Sequence, residues 1–453
     1  MYSIVSSPIS SRSFRKSVQL ASLDQLLPDV EVEAICREIG HAWRNRKLPP
    51  GPTVRSMVYR GLNSDHSIAA VLLDLAAMLG PNAPAPTDSA WCQARDRLPE
   101  AVLTELIFRE ALTCRRQFGK THRWRGRQVY IADGTTVSMP DEPSLVEEFG
   151  YTNTRHGRSR FPVARVSFLQ LAGLEVVWNH RLDEYTCDED WQLHDMWHTL
   201  PRGCICLLDR KFCTFYNLAK LRQRRIDAVA PLHQRRDPQR LIEQGRPLGK
   251  NEWIVPLDLC PQLRRRYNDP SLPGVVWVRL IRVTYWHGSR RHVLWLVTTL
   301  MDPVKYPLHV VAGLYRWRWG IETRIGSLKT TLEMNVLRSK NPEAVRREVA
   351  AIVLGHNLVW RRIHEAAERT GTPARDISFA RAVKAVLAFS AAMLLAGSSQ
   401  KRRQLQDEML LCIADSPNHH PFDRIEPRLI KRETARFAYL RGPRWKARLK
   451  CLS

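Results

Sequence analysis

Two short apolar runs, residues 129–133 and 204–209, each close on an aspartate, Asp133 and Asp209. Between them the chain offers two further strand candidates, 161–171 and 174–178, joined near Ala172-Gly173, and a helical stretch over 188–200. Gly134-Thr135-Thr136 reads as a turn that ends the first strand. A carboxylate at the end of an apolar strand sits at the carboxyl edge of a sheet, pinned by buried neighbours and open to solvent on one side. One such Asp commonly does no more than start a turn. Two on neighbouring strands, with a third carboxylate from a following helix, crowd like charges that a bound cation would relieve.

The third carboxylate comes from a helix spanning about 314–332. At 100° per residue, Leu314, Trp317, Ile321, Ile325, Leu328 and Leu332 fall in one apolar stripe, the expected core face. Tyr315, Arg318, Glu322 and Lys329 form a second stripe beside it, within about 60° of one another. Glu322 then rides at the edge of the buried face, where it can bind a metal while Arg318 and Lys329 grip phosphate. The spacing fits equally an amphipathic helix whose Arg318–Glu322 pair lies on the wet side. The order strand, strand, strand, helix, strand is that of a ribonuclease H-like α/β domain, a mixed sheet with helices. A mostly-β insertion interrupts it, with strands over 275–286 and 292–299 flanking Gly288-Ser289. Helix returns over 303–340.

Charge narrows the partners. Across 453 residues, 70 Lys and Arg face 45 Asp and Glu, a formal net charge of +25. A field of that sign attracts polyanions, nucleic acid foremost. Residues 53–61, 66–79 and 88–98 have helical spacing, with Thr87-Asp88-Ser89 offering an N-cap to the third. That helix presents Gln93, Arg95 and Arg97, residue types that reach bases or phosphates. The trio fits a helix-turn-helix reader and fits equally a small bundle with a solvated charged face. Ten Cys without a C-x-x-C pair indicate neither a zinc ribbon nor a disulfide framework, and a reducing cytoplasm suits them; Cys204 and Cys206 read as core. No export signal is expected in residues 1–20, and the longest apolar run, 385–397, is too short to span a bilayer.

The spacing Tyr315, Arg318, Glu322, Lys329 resembles the Tyr, two residues, Arg, three residues, Glu, six residues, Lys motif of DDE transposases of the insertion-sequence-4 group. Ile131-Ala132-Asp133-Gly134-Thr135-Thr136 is similar to the group's first-Asp motif, and Asp209-Arg210-Lys211-Phe212 to its second. Leu296-Val297-Thr298-Thr299-Leu300 with Asp302-Pro303 resembles the lead into the Glu helix. Lys329-Thr330-Thr331-Leu332-Glu333-Met334 and His356-Asn357-Leu358 resemble the segments on its carboxyl side. Leu48-Pro49-Pro50-Gly51 and Gln93-Ala94-Arg95-Asp96-Arg97-Leu98 resemble the amino-terminal domain. The likeness covers roughly residues 20–370. Lys211 departs from it, since Gly is common after the Asp-Arg pair, and is expected to alter loop shape more than metal binding.

The resemblance implies a cut-and-paste transposase that binds terminal inverted repeats, cleaves the element's ends and transfers 3′-hydroxyl strands into target DNA. Asp133, Asp209 and Glu322 are implied as the catalytic triad, holding two Mg²⁺, for which Mn²⁺ would substitute. Arg318, Lys329 and Tyr315 are implied to hold terminal phosphates, with Arg210 also on the DNA. A hairpin intermediate would need a flipped base on an aromatic ring. Trp277, Trp286 and Trp295 are candidates, although each reads more simply as core. The partners implied are double-stranded DNA, at the element's ends and the target, and a second copy in a synaptic homodimer, with no membrane. The setting implied is a bacterial cytoplasm.

The expected division is a helical DNA-binding domain (1–120), a first catalytic part (121–215), the β insertion (216–305), a second catalytic part with the Glu helix (306–370) and a basic helical tail (371–453). Asp183, Glu184, Asp188, Glu189 and Asp190 read as a helix-start loop and not a second metal site. His194/His198 and His419-His420 lack companion Cys at zinc spacing. Two other functions stay open: a ribonuclease H-like nuclease that hydrolyses without joining, and an inactive DNA-binding relic.

Overall fold

The computed structural model describes residues 26–44, 48–63, 67–79, 86–154, 157–187, 189–287 and 290–418. Within these, the side chains of 73–74, 76–79, 319–325 and 394–395, and of a few residues bordering the gaps, are not described. The Gly288-Ser289 turn, His419-His420 and the basic stretch 428–450 lie outside the described residues. The chain divides into two compact units, one of residues 1–110 with 330–453 and one of residues 111–329.

The first unit is helical. Asp29–Glu38, Pro50–Leu62, Ile68–Leu79 and Asp88–Arg97 precede Glu100–Phe118, in which the division between units falls; Pro342–Thr370, Phe379–Leu395 and Ser399–Ala414 follow from the far end of the chain. Thr87 caps Asp88–Arg97 as its sequence predicts, its hydroxyl accepting from the Ala90 N–H at 3.2 Å. Asn341 caps the 29-residue helix Pro342–Thr370, with Pro342 in its first turn, and Gly371 at φ 74° ends it. This helix packs on Pro50–Leu62 through reciprocal glycines. A Cβ on Gly61 would stand 3.1 Å from Ile352 Cγ1 and 3.2 Å from its Cα, and one on Gly355 3.0 Å from Leu62. No helix of the described residues is long and apolar enough to cross a membrane.

The second unit is built on a mixed sheet with nine strands among the described residues: β1 Val129–Ser138, β2 Val163–Leu171, β3 Val176–Glu184, β4 Ile205–Leu207, β5 Asp227–Pro231, β6 Arg246–Gly249, β7 Glu252–Asp258, β8 Val275–His287 and β9 Arg290–Thr298. Their order is β3-β2-β1-β4-β5-β9-β8-β7-β6. β1 is parallel to β4 and β4 to β5; the other pairs are antiparallel. The first five strands, in the order 3-2-1-4-5 with β2 antiparallel, make the ribonuclease H-like α/β sheet expected from the sequence. β9 pairs Leu296 with Pro231 and Thr298 with Val229, so the later strands extend that same sheet. Helices Phe215–Gln223 and Leu308–Thr330 belong to this unit, save for Thr330 at the division.

The core follows from the strands' composition. Ile131, Val166, Phe168, Val177, Ile205 and Leu207 are almost wholly buried, and Tyr130 meets Trp178 edge-on at 5.3 Å. Cys204 and Cys206 are core residues as expected, their thiols pushed up by burial, Cys204 to about 12.

Candidate active site

The sequence reading ends the first strand at Asp133. The structure corrects this: β1 runs on to Ser138, and Asp133 lies mid-strand opposite Phe168 of β2. The supposed turn Gly134-Thr135-Thr136 is extended because β2 pairs with it throughout and Thr135 and Val137 are buried. Asp133 still lies at an edge, for a different reason. The parallel pairing of β1 with β4 covers only Val129–Ile131, ending at Ile131 opposite Leu207. Two residues further along each chain, the same register brings Asp133 level with Asp209 where the parallel pairing has run out.

Both carboxylates are fixed by their own backbone. The Gly134 N–H donates to Asp133 Oδ1 at 2.8 Å, and the Arg210 N–H donates to Asp209 Oδ1. Past β4 the chain makes a tight turn in which the Phe212 N–H donates to the Asp209 carbonyl at 3.1 Å, with the Phe212 ring buried as its anchor. Both aspartates remain partly exposed.

Helix Leu308–Thr330 supplies the cations. Arg318 is 7% exposed, and its Nη2 lies 3.5 Å from Asp209 Oδ1. Tyr315, one turn earlier, is buried, and that burial pushes its phenol above the ordinary tyrosine range. Leu314, Leu328 and Leu332 are buried as expected, but Trp317 is 37% exposed and leaves the predicted core stripe. The buried face is turned toward Tyr315 and Arg318, because the helix lays these two against the Asp209 turn. The side chains of Ile321, Glu322 and Ile325 lie outside the described residues. The helix backbone nevertheless brackets Glu322: Arg318, one turn before it, meets Asp209, and Lys329, two turns after it, lines the same cleft as both aspartates.

That cleft, of about 280 Å³, is walled by Asp133, Asp209, Lys211, Lys329, Arg165 and Tyr185 among others. Two carboxylates set among three cations can hold hard divalent cations through oxygen and attract phosphate at the same time. Among the described residues the cleft offers hard oxygen donors and no soft ligand, a set that suits a hard divalent cation. Lys211, marked in the sequence only as a departure, stands in the cleft wall. Arg165 and Tyr185 escape the sequence reading; the available signal is Arg165 as the one charged residue of strand 163–171.

The remaining candidates are spread more widely. Arg210 is exposed on the Asp209 turn. In helix Asp88–Arg97, Gln93 is exposed and donates to Ser89 Oγ at 3.3 Å. Arg95 lies over Trp91 and donates to Asp96 Oδ1 at 3.0 Å, and Arg97 is exposed beside a pocket that includes His41, Trp43 and Arg44. Trp277 and Trp286, read as core from the sequence, are 44% and 69% exposed, whereas Trp295 packs against Trp253 at 5.8 Å. Asp183 and Glu184 close β3 and do not belong to a loop as expected, since β3 runs six residues beyond the predicted 178. His194 stacks on Tyr216 and contacts Asp195 Oδ1 at 2.8 Å, a packing role, and His198 is exposed.

Residues 124–358 match the family model of the transposase DDE domain, and residues 17–109 that of the insertion element 4 transposase N-terminal. The transposase InsG for insertion sequence element IS4 of Escherichia coli (strain K12) is 25% identical over 384 residues, 84% of each chain. Among solved structures, the cryo-EM structure of a piggyBac transposase synaptic complex with hairpin DNA superposes with a TM-score of 0.43 at 11% identity, covering 91% of this chain and 88% of that one, a likeness too loose for chemistry to be carried across.

Proposed function

The chain belongs to the DDE transposases, with an amino-terminal domain of the insertion element 4 kind, and from this premise we propose that it cuts and pastes its own element using Asp133, Asp209 and Glu322. As a DDE transposase it is an enzyme of DNA cleavage and strand transfer that uses divalent metal. In our reading the three carboxylates hold two Mg²⁺, or Mn²⁺ in their place. Bound there, the ions would activate the attacking oxygen and neutralise charge on the leaving one.

The observation that carries this reading is the level placement of Asp133 and Asp209, with Arg318 against Asp209 and Lys329 in the same cleft. Arg318 orients the Asp209 carboxylate and offsets its charge as a phosphate approaches. Lys329 and Lys211 draw the strand's phosphates in. Tyr315 serves as a hydrogen-bond donor to the same strand. Arg210 contacts DNA from the Asp209 turn. Gln93 and Arg97 reach DNA from helix Asp88–Arg97, with Arg95 braced by Trp91 and Asp96 as a support. The DNA is double-stranded, at the element's inverted repeats and at the target, and two copies of the chain pair the ends. Exposure of Trp277 and Trp286 supports a hairpin route in which a displaced base stacks on one of them.

The test uses purified protein, Mg²⁺ and a plasmid carrying the gene with its native flanks, with products mapped by end-sequencing. Wild type should cut at paired inverted repeats and join the freed ends to target, and Glu322→Gln should bind DNA without cutting. Cuts that persist in Glu322→Gln would remove the metal assignment. Cutting without joining would return the chain to the nuclease reading.

A further inference from the structure

The cleft has a cation that no family motif accounts for. Arg165 stands on β2, across from Thr136 of β1, and its guanidinium carbon lies 4.9 Å from the centre of the Tyr185 ring, just past β3. Both residues wall the cleft that holds Asp133 and Asp209. Arg165 comes from β2 and Tyr185 from the segment after β3, elements other than the helix that carries Arg318 and Lys329. Tyr185 is 37% exposed with its ring set against the guanidinium. A guanidinium held over an aromatic ring is positioned by it, and its planar fork can meet a phosphate with two hydrogen bonds.

We propose that Arg165, aimed by Tyr185, is a binding site for a backbone phosphate of the DNA strand flanking the scissile one. The proposal rests on the transposase reading of the cleft. Thr136 lies three residues beyond Asp133, about 10 Å along the strand. Phosphates of one strand advance about 3.4 Å per step along a duplex. Since Arg165 lines the same cleft as Asp133, a phosphate at Arg165 belongs to the stretch a few steps from the scissile phosphate. Arg165 makes the hydrogen bonds; Tyr185 is a positioning residue that needs its ring and not its hydroxyl.

The test is a scan with full-length protein and duplexes of the element's end, each carrying one neutral methylphosphonate within a few steps of the cut site. Affinity is measured without metal, so no cleavage is required. Wild type should lose about 10- to 150-fold at one position, the range for a hydrogen bond to a charged group. Arg165→Ala should show a comparable loss on unmodified DNA and no further loss at that position, and its salt slope should fall by about one. Tyr185→Phe should match wild type, and Tyr185→Ala should weaken the same position only. Arg165→Lys, which keeps the charge but not the fork, should recover part of the affinity and guards against a misfolded alanine variant. Uniform tolerance of wild type across the scan, or an Arg165→Ala profile as sensitive as wild type at every position, would overturn the proposal. Failure of wild type to cut its own ends, with this scan unchanged, counts against the transposase reading alone.

Discussion

Acid should unfold this protein through histidines it buries uncharged, and His356 allows the effect to be worked out. His356 is 1% exposed inside helix Pro342–Thr370, beside Phe379 at 5.1 Å, and its Nε2 accepts the Trp360 indole N–H at 3.1 Å. Protonation would face two donors at one another in an apolar setting. Burial accordingly pulls the imidazole from its ordinary 6.5 down to about 4, with the Asn357 side chain opposing slightly. Between those values the unfolded chain takes up a proton that the folded chain refuses. Stability is therefore intact above pH 6.5 and is lost as pH falls through the window toward 4. From pH 7.5 to pH 5 the loss comes to about 2 kcal/mol for this one group. Urea unfolding of wild type and His356→Gln at both pH values isolates it, because Gln can still accept from Trp360 but does not titrate. The variant should lose about 2 kcal/mol less than wild type on acidification. An equal loss in both proteins would show that His356 is not held neutral by burial, which would refute this assignment of its environment. His180, 8% exposed and likewise pulled down to about 4 by burial, should behave in the same way in the other unit.

Three further outcomes each depend on a single contact. Arg318→Ala should lower the single-turnover cleavage rate by about 10²-fold, comparable to losing one preorganised charge-stabilising donor, while Arg318→Lys should recover part of it; a wild-type rate in Arg318→Ala would separate the Arg318–Asp209 contact from catalysis. Lys211→Gly, which installs the residue common in related sequences, should leave cleavage competent and reduce the salt slope of DNA binding by about one; an unchanged slope would put Lys211 off the phosphates. Gly61→Ala should destabilise the helical unit by about 1–3 kcal/mol, because its Cβ would press on Ile352 side chain and backbone at 3.1–3.3 Å; an unshifted melting temperature would mean that the two helices separate at little cost.

Short-range order was legible in the residues themselves. Apolar runs gave the strands near 129, 163 and 205, helical spacing placed Tyr315, Arg318, Glu322 and Lys329 on one stripe, and Thr87 marked a cap that the structure contains. These depend on periodicity and on side-chain bonds a few residues long, which a chain states locally. Pairing partners are not stated locally. Asp133 reads as a strand end because Gly-Thr-Thr resembles a turn, yet β2 holds it mid-strand, and its place beside Asp209 comes from a parallel register with residues some seventy positions away. Trp317 fits a core stripe by angle but is exposed, because the face a helix buries is chosen by what it packs on, here the Asp209 turn. Trp277 and Trp286 are likewise exposed though apolar, and period-2 alternation cannot tell which side of an extended sheet will be covered. Arg165 and Tyr185 are twenty residues apart and carry no shared motif; only the antiparallel pairing of β2 with β3 brings them onto one wall of the cleft. The sequence alone determined which groups this protein has for its chemistry and the elements that carry them, while tertiary structure decided which groups meet, since that depends on strand register and on the partner each face buries.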